Sequence, residues 1–421
     1  MRIRIKSPNK IALDSAMMNV AMVCITSFAM LEHASLSIPI FSLLKLPMLW
    51  LSAVCMLPQI VLILRNWNKK RYFSVLLVLL ALCCVITFST VRDDEFNASA
   101  NALRPMLRLL LYLLELFIFT MYVAEHQKFK YVVNFLFWFA AILAFLNDFI
   151  LFTGIIRFPT DDVELYLVGN KFSVAYLHMN LIALWYIRNN VRSFRDAQAK
   201  RFLYLMIPVI FVVSVRVDCM TGVVGSLLLF IFYTILDTDR QRGLIMFTSP
   251  GMLLAVLIAT IVFPFVISEI MKLPTVTYIV TEVLNRSDSL TGRIPAYSLF
   301  AEKMQGFWLW GAGYGNGNRA AEYLFRIANA QNAQIQWVLQ CGLISIFLID
   351  TLLLMIFRQL HRSSMRKEIT PLAVLIFVYI ILGSVETTFN MNFFLWTMLI
   401  LAGVNQKKSE YFLRKRMKND G

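Results

Sequence analysis

Charged side chains are scarce in this sequence. Asp, Glu, Lys and Arg make up 15% of its 421 residues, against about 25% in an ordinary soluble domain. Hydrophobic residues make up 59%, and a single apolar core stops growing near ~250–300 residues. The apolar runs are long and are separated by short basic clusters, which is typical of membrane-spanning helices. The composition therefore predicts an all-α, polytopic integral membrane protein.

Motifs that carry chemistry in many soluble enzymes are also missing. The chain has no G-x-x-x-x-G-K-[ST] phosphate loop, no C-x-x-C pair and no H-E-x-x-H helix. Its four histidines, at positions 33, 126, 178 and 361, lie far apart in the sequence, which argues against a metal site. We expect no metal and no cofactor. We also interpret the net charge of +15 as a feature of a membrane protein, with no nucleic-acid partner.

Cysteine is too rare, and too apolar in its surroundings, for a disulfide scaffold. Of the six cysteines, only Cys219 lies at the predicted edge of an apolar run, and the other five fall inside such runs. Cysteine in such positions behaves as a small hydrophobic residue. We predict that these cysteines are core residues.

Hydrophobicity over a window of about 19 residues predicts about twelve transmembrane helices. They cover residues 11–31, 43–64, 73–91, 105–124, 131–153, 172–188, 202–215, 220–236, 252–270, 335–357, 371–386 and 391–404. When the connections are assigned alternately to the two sides, most Lys and Arg residues fall on the side of the N-terminus, and most acidic residues fall on the other. The positive-inside rule then places both termini in the cytoplasm.

One connection is much longer than the rest. It covers residues 271–334, on the predicted external side, and divides the chain into an N-terminal transmembrane bundle (1–270), this loop, C-terminal transmembrane helices (335–404) and a basic cytoplasmic tail (405–421). Long ordered connections are usually functional. An amphipathic stretch at 294–304 favours a small helical extracytoplasmic subdomain between the ninth and tenth spans, and the basic tail is typical of a contact with anionic membrane lipids.

Four motifs give a more specific indication. TGRIPAYSLFAEKMQGFWLWGAGYGNGN and ANAQNAQIQWVLQCGLISIFL surround the end of the long loop, and VGNKFSVAYLHMN and VRVDCMTGVVG precede it. Together they resemble the O-antigen ligase and Wzy-type polysaccharide polymerase superfamily: an arginine opening a helix, a glycine turn, and a His-Asn pair that leads into a span. Here Gln331 stands in place of the histidine, before Asn332.

The resemblance implies glycosyl transfer at the outer face of the membrane from undecaprenyl-pyrophosphate-linked oligosaccharides. Arginine suits a departing pyrophosphate because its planar fork donates two parallel hydrogen bonds. The implied membrane is a bacterial inner (cytoplasmic) membrane, and the implied catalytic residues are Arg216, Arg293, Gln331 and Asn332. The candidate substrate-binding residues are Gly313, Gly315 and His178, with His178 alternatively a polar contact within the bundle. Arg286 is a candidate because it lies on the predicted external side, and Arg104 and Arg108 are weaker candidates for the same reason. Alternatively, each external arginine is a solvated or head-group-bound charge. The glycine turn is alternatively a plain turn at the membrane interface, anchored by tryptophans.

Four ionisable residues fall inside predicted spans, where charge is costly and must face protein or a water-filled cavity. They are Lys45, Glu115, Asp148 and Asp350. Because they do not cluster in the sequence, we favour structural pairing over a proton relay.

The sequence therefore predicts a metal-independent, inverting glycosyltransferase that polymerises O-antigen, capsule or exopolysaccharide repeat units. An O-antigen ligase, which uses the same donor with lipid A core or another acceptor, is the nearest alternative, and the replacement of the histidine by Gln331 favours the polymerase. An oligosaccharide flippase is a third hypothesis. A chain-length regulator and a flippase are candidate protein partners.

Overall fold

The computed structural model describes residues 8–34, 37–65, 70–92, 102–156, 164–189, 197–271, 273–278, 281–282, 297 and 299–406. In these residues the regular secondary structure is helical, apart from one isolated β-bridge between Tyr166 and Gly169. The first eight helices are α1 (Pro8–Met30), α2 (Pro39–Arg65), α3 (Lys70–Val91), α4 (Leu103–Glu125), α5 (Phe129–Thr153), α6 (Lys171–Arg188), α7 (Ala197–Arg216) and α8 (Met220–Thr238).

The second half of the chain adds shorter and interrupted helices. They are α9 (Arg240–Thr248), α10 (Pro250–Ile270), α11 (Pro274–Tyr278), α12 (Phe300–Lys303), α13 (Gly317–Phe325), α14 (Ala333–Arg362), α15 (Arg366–Leu382) and α16 (Met391–Val404). A helix lies at each of the twelve predicted spans. The protein is thus α-helical and membrane-embedded, because seven of the described helices (α2, α3, α4, α5, α8, α10 and α14) are long and apolar enough to cross a bilayer.

Several predicted boundaries differ from the structure. The helix predicted over 371–386 ends at Leu382, and the residues up to Asn390 form a turn before α16. The helix predicted over 335–357 forms but is interrupted at Gly342. Within the predicted amphipathic stretch 294–304, the described helix is only the four residues of α12. Short polar helices such as α9 have too few apolar residues for a hydropathy window to detect them.

Asparagine side chains begin three of the helices. The Oδ1 atoms of Asn170, Asn332 and Asn390 accept hydrogen bonds from the backbone N–H groups three residues later, at 3.0, 2.9 and 3.1 Å. The first N–H groups of a helix have no partner within it, and asparagine is among the best residues at this position. These caps explain where α6, α14 and α16 begin.

The helices divide into central and peripheral ones. Every residue of α15 from Ile369 to Ile380 is buried, and α16 is buried almost throughout. By contrast, α2 exposes Leu43, Trp50 and Leu57, with 75%, 60% and 56% of their surface accessible. A helix that is apolar all round belongs in an interior, and large exposed apolar faces need a non-aqueous surrounding. The peripheral faces therefore fit contact with lipid.

Four connections, α1–α2, α5–α6, α7–α8 and α15–α16, meet with the start of α14 at one end of the bundle, which we call the cleft end. The α1–α2 turn contacts the α5–α6 connection through Ser37 Oγ and the Tyr166 carbonyl, and Lys171 donates to the Asp218 carbonyl in the α7–α8 turn at 3.0 Å. The α15–α16 turn bonds to the start of α14, where Ala333 N donates to Gly383 O at 2.7 Å. These are among the connections that the sequence assigns to the external side.

All six cysteines are free. Cys55, Cys83, Cys219 and Cys341 are buried, Cys24 is half-buried, and Cys84 is exposed on α3. The prediction of core cysteines without disulfides is thus correct for four positions. Cys84 is the exception, because it lies on the outer face of a peripheral helix.

Candidate functional site

Helix α14 is broken near its start. Gly342 has φ 76° and ψ 177°, a backbone conformation that residues with a side chain rarely adopt. A Cβ atom at this position would overlap the Leu309 carbonyl. Only glycine therefore allows the chain to turn here and the neighbouring segment to approach.

The two halves of α14, residues 333–341 and 343–362, fold back towards each other at this break. Ser345 Oγ donates to the Trp337 carbonyl at 3.4 Å although the residues are eight positions apart, a separation of ~12 Å along a straight helix. The Asp350 carboxyl faces the Gln334 side chain, across a separation of ~24 Å in a straight helix. The first half is therefore a buried half-helix rather than part of one continuous span.

Residues 311–317, which we call the glycine turn, close the break. Ala312 N and Gly313 N donate to the carbonyls of Leu339 and Gln340, both at 2.8 Å, and Leu343 N donates to Trp308 O at 2.7 Å. Backbone groups that a continuous helix would pair internally are thus satisfied by this loop, as irregular backbone inside a membrane protein requires. The turn packs into the bundle, which differs from a plain turn at the membrane surface.

Asn332 anchors the start of the half-helix. Its Oδ1 caps Ile335 N, and its Nδ2 donates to Thr260 O at 3.1 Å and to Ser384 O at 3.2 Å. The residue is fully buried, and Thr260 lies midway along α10. Both amide hydrogens are used, so this side chain joins α10, α14 and the turn after α15. Its predicted contact with sugar stays a prediction.

A cleft opens at the cleft end between α1, α6, α15 and α16. Its empty volume is about 410 Å³, which includes the open solvent at its mouth. The polar side chains that line it are three amides, two phenols, one hydroxyl and one imidazole: Asn180, Asn390, Asn392, Tyr176, Tyr379, Ser173 and His33. Tyr379 OH donates to Asn180 Oδ1 at 2.9 Å, which fixes one wall.

A cluster of basic side chains lies at the same end of the bundle. Lys45 of α2 interacts electrostatically with Glu32 and Arg108, and Arg108 of α4 interacts with Arg104, Tyr314 and Glu32. We call Glu32, Lys45, Arg104 and Arg108 the cation cluster: three cations around one carboxylate, among the described residues. Lys45 is buried, and Arg108 Nε is buried without a hydrogen-bond partner in the described part of the chain.

The glycine turn lies next to the cation cluster. Gly315 packs so closely on Pro105 of α4 that a Cβ would lie 2.8 Å from its Cγ, and Tyr314 N donates to Thr90 Oγ1 at 2.9 Å. Burial raises the pKa of the Tyr314 phenol, with the Glu32 carboxylate as a smaller cause. Tyr314 therefore stays neutral and can act as a hydrogen-bond donor beside Arg108.

Glu32 and His33 connect the cluster to the cleft. Glu32 Oε2 accepts a hydrogen bond from Met391 N at 3.1 Å, and Met391 lies between two asparagines of the cleft wall. His33 lines the cleft, and its Nε2 lies 3.9 Å from the same carboxylate oxygen. An imidazole is thus placed between a polar cleft and a set of cations, which is an arrangement that can transfer a proton next to a bound anion.

A second set of charges lies on the surface around the cleft, and we call Tyr166, Lys171, Arg216 and Asp218 the rim. Lys171 Nζ lies 3.5 Å from Asp218 Oδ2, with 35% and 66% of the side chains exposed. Arg216 is exposed at the end of α7. Burial raises the pKa of Tyr166, as does its hydrogen bond to Glu164, whereas Arg216 lowers it. The rim residues Arg216 and Asp218 are therefore exposed, whereas Lys45 of the cation cluster is buried and Arg108 half-buried.

His178 and Asp148 form a buried pair inside the bundle. His178 Nε2 lies 2.9 Å from Asp148 Oδ2, and its Nδ1 lies 2.8 Å from the Val174 carbonyl. A carbonyl only accepts, so Nδ1 carries a hydrogen, and one further proton lies between Nε2 and the carboxyl. Pairing of Asp148 with α6 agrees with the structural role we favoured for the intramembrane acids, and the substrate role of His178 stays a prediction.

The other intramembrane acids also face protein. Glu115 accepts a hydrogen bond from Ser52 of α2, and Asp350 faces Gln334. Neither acid is close to the His178–Asp148 pair in the sequence. Among the described residues, no hydrogen bond joins either acid to that pair. Each carboxyl group thus has one polar neighbour, whereas Glu115 Oε1 and Asp350 Oδ1 are buried without a hydrogen-bond partner among the described residues.

The predicted site residues are only partly brought together. Arg104, Gly313 and Gly315 lie around the cation cluster, and Gln331, half-buried with φ 49°, precedes the anchored Asn332. Arg216 lies on the rim. Arg286 and Arg293 are outside the described residues.

Sequence reasoning missed most of the cleft wall. Tyr176 and Asn180 lie four residues apart on α6, within the motif VGNKFSVAYLHMN, so helical spacing could have placed both on one face. His33 was noticed only as an unclustered histidine. Tyr379 had no local signal, because it stands in a continuous apolar run.

No family model, curated protein or solved structure matches this chain. The functional argument therefore depends on the geometry of the cleft end and on the motifs of the sequence.

Proposed function

We propose that this protein is a polysaccharide polymerase that joins undecaprenyl-pyrophosphate-linked oligosaccharide units at the outer face of a bacterial inner membrane. The observation that carries the proposal is a cation cluster beside a cleft lined by amides and phenols. A lipid-linked donor has the matching parts, since its sugar is bonded directly to a diphosphate. Cations placed where charge develops stabilise the departing group.

The proposal includes a topology of twelve spans with both termini in the cytoplasm. The cleft end, formed by four of the connections predicted to be external, is then the outer face, and residues 271–334 form an external subdomain. Basic residues at the opposite end support this orientation, among them Arg188, Arg242, Arg358, Arg362 and Arg366. Positive charge is retained on the cytoplasmic side.

The reaction we propose is a single displacement. A hydroxyl oxygen of the incoming lipid-linked unit attacks the anomeric carbon at the reducing end of the growing chain. The bond from that carbon to the pyrophosphate oxygen breaks, its electron pair stays on the pyrophosphate, and the configuration inverts. Lys45, Arg104 and Arg108 take the developing charge, and His33 accepts the proton of the attacking hydroxyl.

The residues implied by the resemblance have supporting roles in this proposal. Arg216 on the rim, with Arg286 and Arg293 of the long loop, would contact the diphosphate from outside. Gly313, Gly315 and Gln331 would shape the path of the sugar chain. The buried Asn332 would hold the half-helix in place.

Purified full-length protein in nanodiscs, incubated with a lipid-linked repeat unit alone, tests the proposal. A polymerase gives a ladder of products without a second acceptor. The ladder should disappear in the double variant Lys45→Met, Arg108→Gln. It should persist in the control variant Lys171→Gln, which removes one positive charge from the rim. Product formed only after addition of lipid A core would indicate a ligase instead.

The broken helix favours a second function, that of an oligosaccharide flippase. Discontinuous helices line the substrate sites of many transporters, and α14 has this form. A flippase would move a fluorescent lipid-linked unit across the liposome bilayer and so protect it from a quencher added outside. It would give no ladder of products. The same protein preparation can be used in both assays.

A further inference from the structure

We infer that the cleft binds an uncharged sugar residue, a hexose or N-acetylhexosamine, and discriminates against a uronic acid. The inference rests on the proposed function, because it assigns the sugar that lies beside the cation cluster. It is carried by the chemistry of the cleft wall: neutral hydrogen-bonding groups, two aromatic rings, and carboxylates at its margins.

The wall itself has no side chain of fixed charge. Among the described residues that line the cleft there is no Lys, Arg, Asp or Glu, and His33 is charged only when protonated. The cations of the cleft end lie outside the wall, in the cation cluster and on the rim. A carboxylate inside the cleft would lose its hydration without gaining an ionic partner in the wall, which is unfavourable.

Two helices begin at the cleft, and some of their first N–H groups already have partners. Met391 N at the start of α16 donates to the Glu32 carboxylate at 3.1 Å. At the start of α6, both Ser173 N and Ser173 Oγ donate to Asn170 Oδ1, at 3.0 and 2.9 Å. Helix N-termini attract anions through unpaired N–H groups. These paired groups are therefore not available to a uronate.

Two carboxylates lie at the margins of the cleft. Glu32 lies beside His33 on one side, where the cations of its cluster balance its charge. Glu386, which is 9% exposed, interacts electrostatically with Tyr176 on another. A uronate bound beside Tyr176 would have the same sign of charge as Glu386, and like charges in a poorly solvated site repel.

The wall also has the groups that a neutral sugar needs. Tyr176 is 8% exposed, and its hydroxyl is buried with no hydrogen-bond partner in the described residues, as is Asn392 Oδ1. The rings of Tyr176 and Tyr379 lie 5.1 Å apart at 63°, and Tyr379 is almost fully buried, so both rings belong to the packed wall of the cleft. Unpaired buried polar atoms are costly, and sugar hydroxyl or acetamido groups would satisfy them.

Saturation-transfer NMR on the full-length protein in nanodiscs tests the inference with two probes of equal length. One is triacetylchitotriose, a neutral trimer, and the other is trigalacturonate. We expect transfer to the neutral trimer and at least fivefold less to the acidic one at equal concentration. Asn180→Ala should reduce transfer to the neutral trimer at least threefold, whereas the rim control Lys171→Gln should leave it unchanged.

A variant that adds a positive charge to the cleft provides a second, independent measurement. Asn392→Lys adds a cation to the half-buried lip of the cleft and should raise transfer to trigalacturonate at least threefold. Equal or stronger transfer to the acidic trimer in the unmodified protein would overturn the inference, as would the absence of transfer to the neutral trimer. Binding is measured without turnover, so a neutral-sugar preference without a product ladder would refute the polymerase and leave the cleft assignment intact.

Discussion

The cation cluster and the rim contain the same kinds of residue at the same end of the molecule, yet their surroundings differ. Lys45 of the cluster is 8% exposed, and Arg108 is half-buried beside the Tyr314 phenol, although Arg104 is exposed. On the rim, Lys171 and Asp218 are 35% and 66% exposed. A charge in water is screened and contributes little, whereas a charge held among protein groups interacts strongly with whatever binds next to it.

The difference indicates that supporting structure, rather than charge alone, distinguishes a binding site from a solvated surface. The cluster is held by α2 and α4, and the glycine turn presses on α4 through Gly315 and Pro105. That turn is in turn bonded to the break in α14. The rim has one ion pair and one backbone contact between its lysine and its aspartate. Changes in the supporting structure should therefore have the largest effects.

The largest effect is expected from Gly342→Ala. The new Cβ would overlap the Leu309 carbonyl at a φ of 76°, so the glycine turn and the first half of α14 could not pack together. We expect nearly complete loss of monodisperse protein after detergent extraction, measured by fluorescence-detected size exclusion. Gly154→Ala is the matched control, because its φ is 67° with no atom within 4 Å of the added Cβ. It should cost only about 1 kcal/mol of left-handed strain, and equal losses in both variants would contradict this account.

Arg108→Gln should have the next largest effect, on activity rather than on folding. Loss of one well-placed cation commonly reduces turnover by ~10²–10³. We expect a decrease of this order in ladder formation, with little change in the thermal unfolding temperature. An unchanged rate would exclude the cation cluster from the reaction.

Two asparagine caps allow a direct comparison of buried and peripheral support. Asn332→Ala removes a cap and two further hydrogen bonds to Thr260 and Ser384, and should reduce the free energy of unfolding by ~2–4 kcal/mol. Asn170→Ala removes the cap of α6 and a contact with the Ser173 hydroxyl, for ~1 kcal/mol. Thermal unfolding in detergent would measure both. A larger loss from Asn170→Ala would reverse the comparison.

Arg216→Gln should have a small effect. Its guanidinium is exposed at the end of α7, and exposed charges are weakened by solvent and salt. We expect ladder formation to decrease by less than about threefold, and the decrease to diminish further at high ionic strength. A loss as great as that of Arg108→Gln would place the pyrophosphate at the rim, as the motif resemblance implies.

Labelling of Cys219 is the mildest test, because it requires no mutation. Its side chain is fully buried between the rim residues and α8, and burial raises the pKa of the thiol to about 11. An acid with a raised pKa stays protonated, so at pH 8 only ~0.1% is thiolate. We expect almost no N-ethylmaleimide labelling at pH 8 in the folded protein and full labelling after denaturation, measured by mass spectrometry. Rapid labelling of the folded state would show that this part of the rim opens.

How much the sequence predicts differs from element to element. The positions of the long helices follow from apolar runs of the length that a bilayer requires, and α4, α5 and α10 lie within a few residues of their predicted bounds. The end of α15 was predicted four residues too late, because the chain leaves the helix at Gly383, whose carbonyl accepts a hydrogen bond from Ala333 N. No local signal reports such a long-range bond.

The candidate site was predicted less completely. Arg104 and the glycine turn were identified, and the structure places them together. Lys45 was recognised as costly in a span, but the pattern did not show that its neighbours are Glu32 and Arg108. Each of these lies on a separate element, and contacts between elements depend on how helices pack rather than on sequence spacing.

The sequence by itself determined that this is a helical membrane protein, where most of its helices begin and end, and which polar residues would be costly to bury. These properties follow from local chemistry: apolar length, side-chain caps and charge near helix ends. Only the tertiary structure decided that α14 folds back at Gly342, that the glycine turn fills the break, and that three cations gather beside a cleft of neutral side chains. Those features depend on groups that are distant in the chain and meet only when the whole bundle packs.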